Sequence, residues 1–417
     1  MIFVAGGFVV GLAAVLLALG ADGAQHVFRE YLKLVPYGAF FATPLGFMGC
    51  VWIGRRFFAN TNGSGIPQTI VARALETPEE RTAYVGPKIA IGKIALTLAG
   101  LLFGASTGRE GPTVQVGASI MAWVSGFSPR LQPGLILAGA AAGVAAAFNT
   151  PLAGIVFGIE EMSRTFEIRT SGLIIATVIV AGLTAQALLG NYTYFGTTHG
   201  ALALGTAWLA VPMLGVLGGF LGGLFSRILI LFARGVPGRA GAWIGLHPLL
   251  FAGFCGLGVA VCGWASDGAV FGTGYLNARG VLHGGHAPPL LFLPLKFLAN
   301  TFSSISGIAG GIFAPALSVG AGLGADIAPL FPGTAPGTLV LIGMVSYFTG
   351  VVRAPITGFV IVSEMTDNHV LMVPLMAAAL IAQACSRAVC RDGVYHALAM
   401  NIYDKRNPTP PPSVPAA

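Results

Sequence analysis

The chain has little charge: only 9% of its residues are Asp, Glu, Lys or Arg, against about a quarter in soluble domains. Together with 55% hydrophobic residues and a mean hydropathy of +0.81, that scarcity excludes an ordinary water-soluble fold and makes lipid the main solvent. Cysteine is sparse too, and Cys50, Cys255, Cys262, Cys385 and Cys390 are scattered through apolar context. That excludes a disulfide framework or thiolate metal site and leaves them as small buried hydrophobes. No HExxH, Walker A or CxxC pattern occurs, so neither a metal nor a nucleotide cofactor is expected. Uninterrupted apolar stretches of about 20 residues, the length a perpendicular helix needs to cross the hydrocarbon, are also few.

What is present is a series of shorter apolar runs at 1–20, 39–54, 89–104, 135–148, 172–189 and 207–232, continuing to 384, with Gly or Pro breaking many of them. The expected fold is all-α, a polytopic membrane protein of tilted and broken helices without a separate extramembrane domain. Glycine supplies 61 of 417 residues, about twice its usual share. Small residues let membrane helices approach closely, as in Gly218-Gly219-Phe220-Leu221-Gly222-Gly223. The first run lacks the basic flank of a signal peptide and reads as a retained span.

Basic residues concentrate at Arg55, Arg56, Arg73, Arg81, Lys88 and Lys93 and again at Arg387, Arg391, Lys405 and Arg406. The positive-inside tendency places both groups, and the C-terminus, on the cytoplasmic side. The net charge of +7 is thereby explained without nucleic acid. Residues 402–417 read as a polar, proline-rich, disordered tail, leaving 1–401 as a single transmembrane domain.

An internal repeat organises that domain. Phe148-Asn149-Thr150-Pro151-Leu152-Ala153-Gly154, followed by Glu160, matches Val352-Arg353-Ala354-Pro355-Ile356-Thr357-Gly358, followed by Glu364, with Pro151 and Pro355 204 residues apart. Upstream, Gly108-Arg109-Glu110-Gly111-Pro112 aligns with Gly311-Ile312-Phe313-Ala314-Pro315 at an offset of 203. Two homologous halves follow, about 1–200 and 201–401, and similarity alone is compatible with parallel or inverted halves. Glu160 has a counterpart in Glu364 and reads as scaffold. Glu110 faces Phe313 and Glu161 faces Met365, so these two acids exist in one half only and are the candidates for carrying protons, ionisable groups within membranes being functional by default.

Three segments put Gly ahead of Pro: Gly63-Ser64-Gly65-Ile66-Pro67, the Gly108–Pro112 stretch and Gly311–Pro315. Gly frees the backbone before a helix and Pro suits its first turn. Each is therefore a candidate helix N-terminus, where free N–H groups and roughly half a positive charge can replace the water around an anion. A carboxylate at such a point, Glu110, is a tethered anion competing for the same donors, and protonation removes the competition. Ser64 can serve as a helix cap as well. Lys93 either tunes the potential near such a site or snorkels to the interface.

A competing enzymatic reading comes from Gly104-Ala105-Ser106-Thr107-Gly108, which satisfies G-x-S-x-G. A hydrolase elbow needs a strand-turn-helix context and a positioned His, and the seven histidines fall mostly in expected loops. Gly320-Ala321-Gly322-Leu323-Gly324-Ala325 imitates a dinucleotide loop but lies in an apolar run with no preceding soluble strand, so helix packing explains it. No enzyme is expected.

The motifs at 63–67, 108–112 and 311–315, with the stretch from Ala140 to Met162, resemble in this order the CLC family of chloride channels and proton/chloride antiporters, bacterial-type and without regulatory cytoplasmic domains. The similarity runs from about Met1 to Asn401. The resemblance implies two inverted repeats and a homodimer with one pore per subunit, in a prokaryotic inner membrane. It implies a chloride site made by the Ser64 hydroxyl, the Tyr395 phenol and the backbone N–H groups of Ile312 and Phe313. Gly63, Gly65, Ile66, Pro67, Gly108, Arg109, Gly111, Pro112, Gly311 and Pro315 would shape its backbone. Glu110 is similar to the family's gating glutamate and Glu161 to its internal proton-transfer glutamate. Serine at 64 goes in this family with chloride rather than nitrate or fluoride, and bromide is expected to pass too. An acid at 161 goes with proton-coupled antiport, the alternative being a passive voltage- or pH-gated chloride channel. The implied partners are chloride, protons, membrane lipid and a second copy of the chain.

Overall fold

The computed structural model describes residues 2–127, 131–163, 168–190, 193–285 and 291–406, and among these the regular elements are helices. The first half runs Ile2–Leu34 (α1), Ala39–Phe57 (α2), Ile66–Ala74 (α3), Pro78–Thr82 (α4), Pro87–Leu102 (α5), Glu110–Val124 (α6), Gln132–Phe148 (α7), Pro151–Phe157 (α8) and Ile168–Leu189 (α9). A π-helical turn at Gly158–Ser163 follows α8. The second half runs Ala210–Arg234 (α10), Gly238–Leu246 (α11), Pro248–Ala265 (α12), Tyr275–Leu282 (α13), Phe292–Ile305 (α14), Phe313–Ile327 (α15), Pro336–Val352 (α16), Pro355–Thr366 (α17) and Met372–Val389 (α18). Val394–Arg406 (α19) ends the described chain. Residues 402–406, expected in the tail, thus continue α19, where Lys405 Nζ donates to Ala233 O at 3.0 Å and Arg406 pairs with Glu80 at 2.6 Å. The rest of the expected tail lies outside the described residues.

Seven helical stretches among the described residues are long and apolar enough to cross a membrane. The protein is a multi-pass integral membrane protein. Shorter helices such as α6 and α15, of 15 residues each, are about 22 Å long. Too short to span the hydrocarbon alone, they are wrapped by α1, α5, α7, α14 and α16.

The order of elements repeats. α3 corresponds to α13, α5 to α14, α6 to α15, α7 to α16 and α8 to α17. α7 and α16 both end in a residue with positive φ, Asn149 at 57° and Arg353 at 64°, as their 204-residue spacing predicts. The Arg353 side chain does not cap its own helix but the far end of α18, donating to Cys390 O, to Arg391 O at 2.8 Å and to Asp392 O at 2.7 Å. Much of the glycine serves packing. Gly117 on α6 and Gly139 on α7 abut with no room for a Cβ, and Gly320 on α15 and Gly343 on α16 repeat the contact.

The two halves lock together through the glutamates they share. Glu160 accepts from the N–H groups of Ile356 (3.1 Å) and Thr357 (2.7 Å) at the start of α17. Glu364 accepts from those of Leu152 (3.1 Å) and Ala153 (2.7 Å) at the start of α8. Each carboxylate thus caps the opposite half's helix where free N–H groups and the dipole favour an anion, and the exchange is reciprocal, as a two-fold relation between halves requires. Both residues serve the scaffold, as their sharing suggested.

Candidate functional site

The three Gly/Pro turns converge. Gly63 N donates to Ile308 O at 2.9 Å and Gly310 N donates to Gly63 O at 3.0 Å, joining the turn before α3 to the turn before α15. Gly108 and Gly311 exchange two backbone hydrogen bonds of 2.7 Å each, joining the turns before α6 and α15. These short bridges hold three helix starts at one point. Close approach needs glycine there: a Cβ on Gly111 would lie 2.9 Å from Ser64 O and 3.2 Å from the Gly311 Cα. Gly63 and Gly65 take φ of +63° and +91°, backbone that other residues adopt only under strain.

Ser64, Pro67, Ile312 and Tyr395 line one cavity of about 630 Å³. Arg55, Lys405 and Arg406 line it as well, so the two basic groups of the sequence meet on one face of the molecule. The Ser64 Oγ receives only a long 3.4 Å hydrogen bond from Ile66 N, which leaves its own proton free to point elsewhere. Tyr395 is fully buried on α19, and its hydroxyl has no hydrogen-bond partner among the described residues. Ile312 and Phe313 stand at the start of α15, where N–H groups have no intrahelical acceptor. The Phe313 ring packs against Phe148, Phe157, Phe348 and Tyr395 with centroids 5.0–6.3 Å apart. These rings form an apolar wall on one side of the helix start.

Glu110 is the first residue of α6 and is completely buried, with neither carboxylate oxygen hydrogen-bonded among the described residues. Backbone N–H groups of Arg109, its own residue and Ala314 surround it. Tyr395 lies within electrostatic range of both Glu110 and Glu161, the two acids singled out in the sequence. Glu161 is buried in the π-helical turn, an irregularity that often marks functional sites. Its repeat position, Met365, sits in the regular helix α17. The halves therefore differ in backbone where they differ in chemistry.

Arg109 contributes its backbone to the cradle, while its side chain turns away. It donates to Ala18 O at 2.6 Å and pairs with Asp22 at 3.0 Å, lining a second cavity of about 610 Å³. The two cavities lie at opposite ends of α5: Tyr84, just before that helix, lines the first, and Leu101, in its last turn, lines the second. Lys93 does not snorkel. Fully buried, it donates to Thr61 O at 2.9 Å and Gly63 O at 2.6 Å and so holds the Ser64 turn. Ser106 of the G-x-S-x-G pattern is also fully buried and accepts from Lys296 Nζ at 2.9 Å. That amine also donates to Val270 O and Gly272 O, both at 2.9 Å, so it anchors the serine and two loop carbonyls at one point.

Sequence reading missed one turn. Gly272-Thr273-Gly274 precedes α13 as Gly63-Ser64-Gly65 precedes α3, at an offset of 209, with φ of +69° and +79° at its glycines. Lys296 holds it as Lys93 holds the other. The offset drops to 203 after the segment containing α4, which has no counterpart between α13 and α14 among the described residues, and that change of register hid the match.

A buried cradle of helix starts inside a polytopic helical body is the construction by which membrane proteins meet small anions at mid-membrane. Comparison with known proteins narrows the class. The family model described as voltage gated chloride channel matches residues 38–387. The H(+)/Cl(-) exchange transporter ClcA of Yersinia pseudotuberculosis is 34% identical over 416 residues, covering 90% of this chain and 83% of the relative. The ClcA of Cronobacter sakazakii is 35% identical, covering 83% and 76%. A crystal structure of a slow cyanobacterial Cl-/H+ antiporter matches with a TM-score of 0.80 and 26% identity, over 98% of this chain and 99% of that one. A CLC-type fluoride/proton antiporter shares the fold at a TM-score of 0.81 and 21% identity, over 95% and 96%. The chain belongs to the voltage-gated chloride channel (CLC) family.

Proposed function

We propose that this protein exchanges chloride for protons across a membrane as a secondary antiporter. One observation carries the reading: a completely buried carboxylate, Glu110, sits among the helix-start N–H groups of Arg109, its own residue and Ala314, beside the cavity that Ser64, Ile312 and Tyr395 line. Chloride is held by the Ser64 and Tyr395 hydroxyls and the N–H groups of Ile312 and Phe313. A chloride ion and an ionised Glu110 compete for the same partial positive charge. Protonating Glu110 removes its claim and admits the anion, which links anion movement to proton uptake. Glu161 passes the proton to and from the inner side. The similarity to an H(+)/Cl(-) exchange transporter and to a Cl-/H+ antiporter supports the same reading.

The working unit is a homodimer of subunits with one pore each, every pore built from two inverted halves and surrounded by lipid. It sits in a prokaryotic inner membrane with the C-terminus in the cytoplasm, a placement supported by Arg55, Lys405 and Arg406 at one cavity mouth. Bromide, also large and weakly hydrated, passes as well.

The test is reconstitution. In sealed proteoliposomes an imposed chloride gradient drives uphill proton movement for the exchanger, whereas dissipative current without proton movement would establish a passive channel. Glu110→Gln keeps chloride flux and loses proton coupling and its acid dependence. Glu161→Gln blocks protons from the inner side, and full coupling in that variant would remove Glu161 from the pathway.

A further inference from the structure

The Gly272-Thr273-Gly274 turn copies the Ser64 turn in detail. Lys93 donates to the carbonyls of Thr61 and Gly63, and Lys296 to those of Val270 and Gly272. The Ile66 N–H donates to the Ser64 Oγ at 3.4 Å, and the Tyr275 N–H to the Thr273 Oγ1 at 3.3 Å. A difference lies in what the hydroxyl and adjoining backbone face. At Thr273 both the N–H, at 3.0 Å, and the hydroxyl, at 3.4 Å, donate to one atom, the Gln25 Oε1. Gln25 Nε2 donates to Ala21 O at 3.1 Å, which fixes the amide with its oxygen toward Thr273. A single acceptor receiving a backbone N–H and a hydroxyl at a helix start stands where an anion would stand.

An independent feature points the same way. Gln25, Thr273 and Arg109 line the same cavity, at the opposite end of α5 from the Ser64 cavity. Arg109 is more than nine-tenths buried, and its Nε has no hydrogen-bond partner among the described residues. Asp22 takes part of its charge, but Asp22 is itself largely exposed.

We propose that the Thr273 turn is a second halide cradle, on the outer side of the pore, and that the Gln25 carboxamide is a neutral tethered ligand that fills it in this structure. Halide arriving from outside displaces Gln25 Oε1 from Thr273 on its way toward Glu110. The two halves thus carry related cradles, one facing the inner cavity and open, the other plugged by a side chain from α1. The proposal rests on the reading of the chain as a halide transporter.

The experiment is crystallography of the full-length protein grown in bromide, with anomalous scattering, on the wild type and on Gln25→Ala. Bromide near Ser64 in both, with a second peak on Thr273 N and Oγ1 in Gln25→Ala, is the expected result. Bromide near Ser64 in both but none at Thr273 in Gln25→Ala overturns this inference and leaves the proposed function standing. Bromide at neither position overturns both. Flux supplies a second readout: in Gln25→Ala and in the shorter Gln25→Asn, half-saturating outer chloride falls about five-fold, the worth of one net hydrogen bond. Gln25→Glu, which keeps the cradle filled with a fixed negative charge, raises it. Unchanged outer half-saturation in all three variants refutes the plug.

Discussion

Glu160 and Glu161 are adjacent acids to which the proposed function gives different duties, and removing the first tests that division. Glu160 accepts three hydrogen bonds, from Ile356 N at 3.1 Å, Thr357 N at 2.7 Å and Thr357 Oγ1 at 2.7 Å. Glu364 accepts two, from Leu152 N at 3.1 Å and Ala153 N at 2.7 Å. A hydrogen bond to a charged group is worth roughly 1.5–3 kcal/mol. Both carboxylates are only half-buried, and water can reach part of each cap once the acid is gone, so about half of that should survive. Glu160→Ala then costs about 2–4.5 kcal/mol and Glu364→Ala about 1.5–3 kcal/mol, with each Gln variant losing roughly half as much because one amide oxygen still accepts. For a chain of this size 1 kcal/mol moves Tm by about 1–2 °C. Thermal unfolding in detergent should therefore rank Glu160→Ala below Glu364→Ala, with both Gln variants nearer the wild type. Proton-coupled flux per folded molecule should be kept in all four. An unchanged Tm with lost proton coupling in Glu160→Gln would refute the argument and move the proton path to Glu160.

Three further outcomes follow from the same geometry. Tyr395→Phe removes a buried hydroxyl that no described side chain or backbone group pairs with, so the fold should persist while chloride half-saturation rises about five-fold, checked by flux titration. Gly111→Ala would press a methyl 2.9 Å from Ser64 O; overpacking of this kind costs about 1–3 kcal/mol, and chloride binding measured by calorimetry should weaken together with Tm. Lys93→Met leaves the carbonyls of Thr61 and Gly63 without their buried donor. It should lower both stability and chloride affinity, whereas a role confined to the potential of the pore would lower affinity alone.

Much of this protein is written along the chain. Charge scarcity and the apolar runs dictate lipid as solvent, because no soluble core could hide so much hydrocarbon from water. The offsets of 203 and 204 expose the two halves, and Gly ahead of Pro marks the helix starts, since those preferences are properties of single residues and their nearest neighbours. Glu110 and Glu161 stand out because their repeat positions, Phe313 and Met365, are apolar.

What a linear pattern could not decide was which of these points meet. Ser64 and Tyr395 lie far apart in sequence yet line one cavity, because α19 returns across the bundle to pack on α3. Lys93 read as a pore or interface residue until packing placed carbonyls around its ammonium. The Thr273 turn stayed hidden behind a shift in offset that only superposed backbone geometry removes. Helix propensity, capping and periodicity act over a few residues, whereas the convergence of helix starts, the reciprocal caps and the seat of Gln25 depend on how whole helices pack, and that is fixed by contacts between distant parts of the chain.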